Sequence, residues 1–214
     1  MIISWFYNFA LCFENENTSV LVDPTYTGGD GDYFIAAREP GVVLISSDTK
    51  EHFDPDLILH YANTRKNPIL FLVCESVYEK MPEIPERHNV VKFTPHSVYS
   101  EKGITFYATS SSDPKSIGCI LDDGEKTYYV SGGTLYNFDV IDEVLELVEE
   151  GVDCAFLPIG AKGNKMNPKD ASDFAYEIGA KCAVPVGYNT KTQDRNSFDF
   201  DDARFLDPFV GEEF

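Results

Sequence analysis

Short apolar runs separated by polar turns fill the first half of the chain and predict β-strands. These runs lie at residues 2–6, 10–14, 19–22 and 42–45, with Asn-rich, Asp-Pro or Pro-Gly segments between them. Residues 68–73 are apolar without interruption, which is typical of a strand that is buried on both faces. Residues 27–32 are rich in glycine and show no periodicity, so we predict a loop there.

Four further runs predict an antiparallel meander in the middle of the chain. They lie at residues 90–93, 104–107, 117–121 and 127–130, and an Asp-Asp-Gly-Glu turn separates the last two. Because each run is short and bounded by turn residues, we expect neighbouring strands to pair in sequence order.

Helical stripes appear between the remaining runs. Helices are predicted at residues 55–63, 138–150 and 167–178, and strands at residues 154–157 and 182–186. Asp54 offers an N-cap oxygen and Pro55 a preset first helical position, while Gly151 and Gly179 end the later helices. Strands first, followed by mixed strand and helix units, predict a layered α/β domain with helices outside a pair of sheets.

The composition is that of a folded and strongly acidic protein. With 214 residues, of which 43% are hydrophobic, the chain suits a single domain over residues 1–214. Its net charge of −19 repels phosphate backbones and anionic membrane surfaces, which argues against nucleic-acid binding. No apolar run approaches the ~20 residues of a membrane span, so we expect no membrane contact.

Five cysteines sit singly in apolar contexts, and the chain contains no Cys-x-x-Cys pair. We therefore expect buried free thiols in a reducing compartment, rather than a disulfide framework or a zinc site. Because the N-terminus also lacks a basic leader, we predict a cytoplasmic location.

The C-terminal segment, residues 194–214, contains seven acids, two arginines and five phenylalanines. We expect its rings to dock on the domain while its acids face water. The alternative is a structural or interaction protein that uses this segment to bind a partner.

Five segments in a fixed order resemble one branch of a known superfamily. They begin at Trp5 (Trp-Phe-Tyr-Asn-Phe-Ala), Val20 (Val-Leu-Val-Asp-Pro), Tyr129 (Tyr-Val-Ser-Gly-Gly-Thr), Phe156 (Phe-Leu-Pro-Ile-Gly, with Met-Asn-Pro ten residues on) and Val184 (Val-Pro-Val-Gly-Tyr-Asn-Thr). In order and spacing they are similar to small metal-dependent hydrolases of the metallo-β-lactamase superfamily, the branch similar to ascorbate-phosphate lactonase. The resemblance implies the four-layer αββα sandwich of that superfamily.

The same resemblance places the family's metal-ligand positions on residues that bind metals poorly. Its pattern His-x-His-x-Asp-His falls on Ser47, Thr49, Glu51 and His52. The remaining ligand positions fall on the serines at 110–112, on Gly133 and on Gly187. A catalytic zinc needs about three protein ligands plus an open position for water. Since only Glu51 and His52 are left, the resemblance implies that the binuclear site is lost, and we expect no metal cofactor.

From these positions we predict a non-catalytic member of the superfamily that binds a small molecule or a protein partner. Its pocket should be lined by Asn8, Ser47, Asp48, Thr49, Glu51, His52, Ser111, Gly133, Thr134 and Gly187. The alternative is a metal-dependent hydrolase of a phosphorylated sugar lactone or related ester, acting through a reduced site around Glu51 and His52.

Two other uses of the same loop follow from its residue types. Asp23, Asp48 and Glu51 could jointly hold a hard cation such as Mg²⁺ or Ca²⁺, although acids are common enough here for a chance gathering. Ser47, or one of the serines at 110–112, could instead form a nucleophile–base pair with His52.

Overall fold

The computed structural model describes residues 1–29, 31–160, 165–188 and 197–214. In chain order the elements are β1 Ile2–Trp5, β2 Leu11–Glu14, β3 Ser19–Val22, α1 Gly31–Ala36, β4 Val42–Ile45, α2 Pro55–Thr64, β5 Leu70–Val73, α3 Glu75–Tyr78, β6 Asn89–Lys92, β7 Val98–Glu101, β8 Ile104–Thr109, β9 Gly118–Asp122, β10 Thr127–Val130, α4 Phe138–Leu147, β11 Cys154–Pro158, α5 Pro168–Glu177, β12 Ala183–Val186 and β13 Gly211–Glu213. They divide into two compact units, one formed by Met1–Phe93 with Leu206–Phe214, the other by Thr94–Phe205.

The first unit contains a seven-stranded mixed sheet in the order β13-β1-β2-β3-β4-β5-β6. Strands β1 to β3 pair antiparallel, whereas β3 to β6 pair parallel. Every residue of β4 and β5 is buried, which explains their unbroken apolar sequences. Because parallel strands end at the same edge, the residues that follow β3, β4 and β5 come together there. Asp23 N donates to Leu44 O at 2.9 Å, and Cys74 N donates to Ile45 O at 3.0 Å.

The second unit contains a six-stranded mixed sheet in the order β12-β11-β10-β9-β8-β7. Strands β7 to β10 form an antiparallel meander, and β10 to β12 pair parallel. Helix α4 buries Val140, Ile141 and Val144, three of the six apolar residues of the helical stripe predicted from the sequence, whereas Leu147 is exposed. Asn167 caps α5 by accepting a hydrogen bond from Asp170 N.

The predicted helix after residue 54 is confirmed together with its capping. Asp54 Oδ1 accepts from Asp56 N at 3.0 Å and from Leu57 N at 3.1 Å, and Pro55 occupies the first turn. The other carboxylate oxygen of Asp54 accepts from Tyr26 N at 3.2 Å. This single side chain therefore fixes both the start of α2 and the loop that follows β3.

One predicted pairing is wrong. The run at residues 90–93 was assigned to the antiparallel meander, but β6 pairs parallel with β5 in the first sheet. The short helix α3 makes the crossover between these two strands, and its four residues are too few to show a helical period. The elements α1, β7 and β13 were also not predicted, and α4 ends at Leu147 rather than at residue 150.

The C-terminal segment contributes to both units. In the second unit, Phe198 and Phe200 are buried, and the Phe200 ring lies 4.5 Å from that of Tyr176. In the first unit, β13 pairs antiparallel with β1, and the Phe209 ring contacts that of Tyr7 at 5.0 Å. Residues 194–196 lie outside the described residues. None of the helices in the described ranges has the length and apolarity needed to cross a membrane.

Candidate functional site

A buried polar cluster joins the loops that follow β3 and β4 in the first unit. Asp23 Oδ1 accepts from Ser46 N at 2.7 Å, and Asp23 Oδ2 accepts from the Ser46 hydroxyl at 2.7 Å. His52 Nδ1 lies 2.8 Å from Asp23 Oδ2 and 3.1 Å from Ser46 Oγ. All three residues are at most 3% exposed. Buried polar groups are costly without partners, and here each one has a partner.

The hydrogen bonds of this cluster fix which imidazole nitrogen carries a proton. An ionised carboxylate only accepts, so Nδ1 of His52 must donate to Asp23. In a neutral ring the proton then sits on Nδ1 and the lone pair on Nε2. A carboxylate that accepts a hydrogen bond from Nδ1–H is found behind many metal-ligating and general-base histidines. His52 therefore has the orientation of a metal-ligating or general-base histidine.

An aromatic ring lies against the imidazole. The Phe9 ring stacks on His52 with centroids 3.9 Å apart. Phe9 falls where the resembled family has serine, so this chain places an apolar surface where the family has a hydroxyl. The preceding residues, Tyr7 and Asn8, have φ angles of 70° and 45°, in the left-handed region. Such values cost non-glycine residues about 1–2 kcal/mol, so the surrounding contacts must hold this turn. One of them is the 3.0 Å hydrogen bond from Trp5 Nε1 to Asn8 O.

The loop that carries the four resembled ligand positions turns sharply at Thr49. The Thr49 carbonyl accepts from His52 N and from Phe53 N, both at 2.9 Å. This turn buries Ser47 and His52 but leaves Thr49 and Glu51 exposed. Glu51 and His52 are neighbours in sequence, yet their side chains enter different environments.

Asp48 is engaged by a lysine. Its carboxylate forms an ion pair with Lys80, and this hydrogen bond lowers the pKa of Asp48 below its usual range. Asp23, by contrast, is committed to Ser46 and His52. The shared cation site of Asp23, Asp48 and Glu51 is thus not formed. Within the ranges that the structure describes, no group of three or more His, Cys, Asp or Glu side chains is placed to hold a metal ion.

The hydroxyl beside His52 belongs to Ser46 and not to Ser47. The Ser47 hydroxyl lies 3.5 Å from Thr49 N, a weak contact within its own loop. Ser46 contacts the protonated Nδ1 and donates to Asp23, so its proton is directed away from the basic nitrogen. The proposed nucleophile–base pair of Ser47 and His52 therefore lacks the geometry it requires.

The remaining predicted positions, Ser111, Gly133, Thr134 and Gly187, belong to the second unit. There hydroxyl groups join the loop after β8 to the loop after β10. Thr134 Oγ1 donates to Ser111 Oγ at 3.0 Å, and Leu135 N donates to Ser112 Oγ at 2.9 Å. Gly133, which directly precedes Thr134 in the chain, is buried. The two loops are thus held to each other by direct hydrogen bonds.

Gly187 ends β12 in a left-handed conformation. Its φ is 72°, and its carbonyl accepts from Lys165 Nζ at 2.6 Å. The backbone oxygen of Gly187 is therefore hydrogen-bonded to the Lys165 ammonium group. The next family positions, residues 189 and 190, lie outside the described residues.

Three residues that contact the candidate site residues were not predicted from the sequence. Ser46 became visible only when the parallel pairing of β3 with β4 brought its loop beside Asp23. Phe9 became visible because the antiparallel pairing of β2 with β3 places the turn before β2 at the end of β3. Glu143 on α4 accepts from Ser110 N at 2.8 Å, so it anchors the serine loop. The usable signal was Asp23, because an Asp-Pro step directly after a buried strand marks a polar group at a sheet edge.

Comparisons with known proteins find one matching family and several solved structures with a similar fold. Residues 2–187 match the model of the beta-lactamase superfamily domain. The chain is similar to the metallo-beta-lactamase fold protein YhfI from Bacillus subtilis, at 14% identity and TM-score 0.79, covering 99% of each chain. It is also similar to Igni18, a metallo hydrolase from Ignicoccus hospitalis, at 18% identity and TM-score 0.72, covering 100% of this chain and 99% of that one.

A third solved structure, the isothiocyanate hydrolase from Delia radicum gut bacteria, has 14% identity and TM-score 0.72 and covers 100% of this chain and 99% of its own. At such identities the likeness concerns the fold alone. No curated protein matches the chain by sequence. The α/β class and the metallo-β-lactamase fold predicted from the sequence are confirmed, and the structure shows two mixed sheets with few helices.

Proposed function

The chain belongs to the beta-lactamase superfamily, and from this premise we propose that it is a non-catalytic member that binds a small molecule or a protein partner. The observation that carries the proposal is which residues stand at the superfamily's metal-ligand positions in this chain. Among the described residues, His52 is the one imidazole that remains at them, and it is built into a buried cluster with Asp23 and Ser46.

The residues that replace the ligands do not fit a binuclear metal centre. Hydroxyls at Ser47 and Thr49 are weak zinc ligands, and Gly133 and Gly187 supply no side chain at all. The serine hydroxyls of the second unit already bond to Thr134 and Leu135. These direct hydrogen bonds thus hold the two loops together, as a metal ion bound between loops can do.

The loops around the lost ligand positions keep their defined backbone and their buried contacts. This favours a binding role over a site without any remaining function. The turn at Tyr7 and Asn8 keeps its left-handed backbone although neither residue is glycine. The loop between β4 and α2 keeps its buried histidine and its capped helix start. Such positions are costly to maintain, so we propose that they still shape a recognition surface.

Hydrolase assays with added metals test this proposal. The purified chain is incubated with a lactone or a phosphate ester in the presence of Zn²⁺, Mn²⁺ or Fe²⁺, with and without EDTA. We expect no metal-dependent turnover above buffer. Turnover that needs metal, is abolished by EDTA and is lost in His52→Ala would overturn it. In parallel, a Ser47→His and Thr49→His double variant returns two imidazoles to the loop, and we expect it to take up metal.

A second candidate function rests on the orientation of His52. Its Nδ1 donates to a buried carboxylate, which leaves Nε2 as the basic nitrogen of a neutral ring. Such a group supports metal-independent hydrolysis if Nε2 reaches a substrate or a water molecule. This alternative predicts EDTA-insensitive turnover whose rate falls at least 100-fold in His52→Ala and stays unchanged in Glu51→Gln.

A further inference from the structure

Two thiols that are far apart in sequence meet in the sheet of the second unit. Cys154 begins β11, and Cys182 directly precedes β12. These strands are parallel neighbours, and Ala155 pairs with Ala183 in their register. The two sulfur atoms are 3.3 Å apart although 28 positions separate the residues. Nothing in the spacing of the cysteines signals this contact.

The two sulfurs differ in environment. Cys154 is 2% exposed and Cys182 is 8% exposed. Cys154 donates its S–H to the Cys182 sulfur, and this hydrogen bond lowers the pKa of Cys182 although burial opposes the shift. Burial raises the pKa of Cys154 well above its ordinary value. Cys182 is therefore the more exposed and more acidic thiol of the pair, and thiolates are the reactive form of cysteine.

The backbone around the pair suits a covalent link. Neighbouring strands lie about 4.8 Å apart, and disulfides accept Cα separations of about 4.4–6.8 Å. The carbonyl of Cys182 accepts from Ala155 N at 2.9 Å, which fixes the two strand starts against each other. Rotation of the side chains can then bring the sulfurs to bonding distance without moving the strands.

We propose that Cys154 and Cys182 form a redox-active dithiol that a hydroperoxide converts to a disulfide. The Cys182 thiolate attacks one peroxide oxygen, the O–O bond breaks, and the departing oxygen takes up a proton and leaves as water or an alcohol. The resulting sulfenic acid is attacked by the Cys154 sulfur. An S–S bond forms, the S–O bond breaks, and the hydroxyl leaves as water with the Cys154 proton. The sulfurs together lose two electrons, which the hydroperoxide gains.

Two other cysteines provide an internal comparison. The Cys12 sulfur lies 3.6 Å from the Ser19 hydroxyl, and the Cys74 sulfur lies 3.3 Å from the Ser76 hydroxyl. Burial raises the pKa of both thiols, to about 12 for Cys12. They lack both the acidic shift and the sulfur partner in these contacts, so hydroperoxide should spare them.

The test uses the unmodified full chain. The protein is treated with hydrogen peroxide, alkylated under denaturing conditions and digested with trypsin. Cys154 and Cys182 fall in different tryptic peptides, residues 127–162 and 182–191. We expect these peptides to be joined and the free thiol count to fall from five to three, with full recovery after dithiothreitol.

Two variants complete the experiment. Cys182→Ser should abolish the joined peptide, whereas Cys12→Ser should still lose two thiols to peroxide. The proposal is overturned if all five thiols survive in the folded chain, if Cys182 is oxidised to a sulfinic acid while Cys154 is alkylated, or if the link joins other cysteines. None of these outcomes touches the proposed binding function, because the readout is thiol chemistry and not turnover.

Discussion

At the scale of single residues, His52 is the imidazole at one of the resembled ligand positions, and it belongs to a buried polar cluster. His52 satisfies Asp23 and lies next to Ser46, while Phe9 covers its ring. Each of these residues was readable in the sequence, but their contact was not, because it depends on which strands pair. Asp23 follows β3 and His52 follows β4, and only the parallel alignment of those strands brings them to one edge.

The residue-scale prediction concerns this cluster. His52→Ala leaves Asp23 buried without its imidazole partner, so we expect it to lower the free energy of unfolding by about 3 kcal/mol. Glu51→Gln, at the exposed neighbouring position, should change it by less than about 0.5 kcal/mol. Urea denaturation of both variants measures the difference. Equal stabilities for the two variants would mean that the Asp23–His52 contact contributes little.

At the scale of secondary structure elements, apolar patterning predicted the buried strands and the long helices. The cap at Asp54 and the stripe on α4 were visible because both depend on nearest neighbours in sequence. Strand β6 was placed in the wrong sheet because pairing is non-local, and its crossover helix α3 has only four residues. Strand β13, Gly-Glu-Glu, is polar throughout, and it forms because β1 offers an open edge.

Two turns after helices touch each other in the second unit, and they give an element-scale prediction. Gly151 has a φ of 79°, and a Cβ there would lie 2.2 Å from the Gly179 carbonyl oxygen. Gly151→Ala therefore adds a backbone clash to the strain of a left-handed alanine. Gly124→Ala, at φ 86° in open space, adds strain alone, about 1–2 kcal/mol. We expect Gly151→Ala to cost at least about 2 kcal/mol more in chemical denaturation. Similar losses in both variants would contradict the close approach.

The hydrogen bonds between the loops after β8 and β10 give a second prediction at the scale of elements. Thr134→Val keeps the shape of the side chain but removes the donor to Ser111, so we expect a loss of about 1 kcal/mol. Thr25→Val is the matched control, because the buried Thr25 hydroxyl has no hydrogen-bond partner among the described residues. That change should be neutral or slightly stabilising. Thermal denaturation that ranks the two variants in the opposite order would refute a linking role for Thr134.

At the scale of the whole molecule, ordered sequence segments predicted the family, and the match over residues 2–187 confirms it. The single domain over residues 1–214 stays a prediction, and the contacts of the described residues cluster into two compact units. A single-domain reading rests on length and composition, and neither contains information about where contacts cluster. The C-terminal segment illustrates the difference. Its last part completes the sheet of the first unit through β13, whereas Phe198 and Phe200 are buried in the second.

Truncation of the chain after residue 205 tests the role of this segment. It removes β13, the buried Leu206 and the ring of Phe209 that contacts Tyr7. At about 1.5–3 kcal/mol for each buried side chain, we expect a loss of about 4 kcal/mol and a fall in Tm of about 10 °C. Glu212→Gln, which changes only a charge on β13, should leave Tm nearly unchanged. An unaltered Tm together with the loss of a captured partner would favour the interaction role of the segment.

The central claim is that this member of the superfamily has lost its metal centre, and metal content tests it most directly. The chain is produced without a histidine tag in medium supplemented with zinc, manganese and iron, and metal per chain is measured by mass spectrometry after gel filtration. With His52 as the one remaining imidazole at the ligand positions, we expect well below one ion per chain, and no change in Tm with EDTA. One or two tightly bound ions per chain, with a Tm that falls on chelation, would contradict the account.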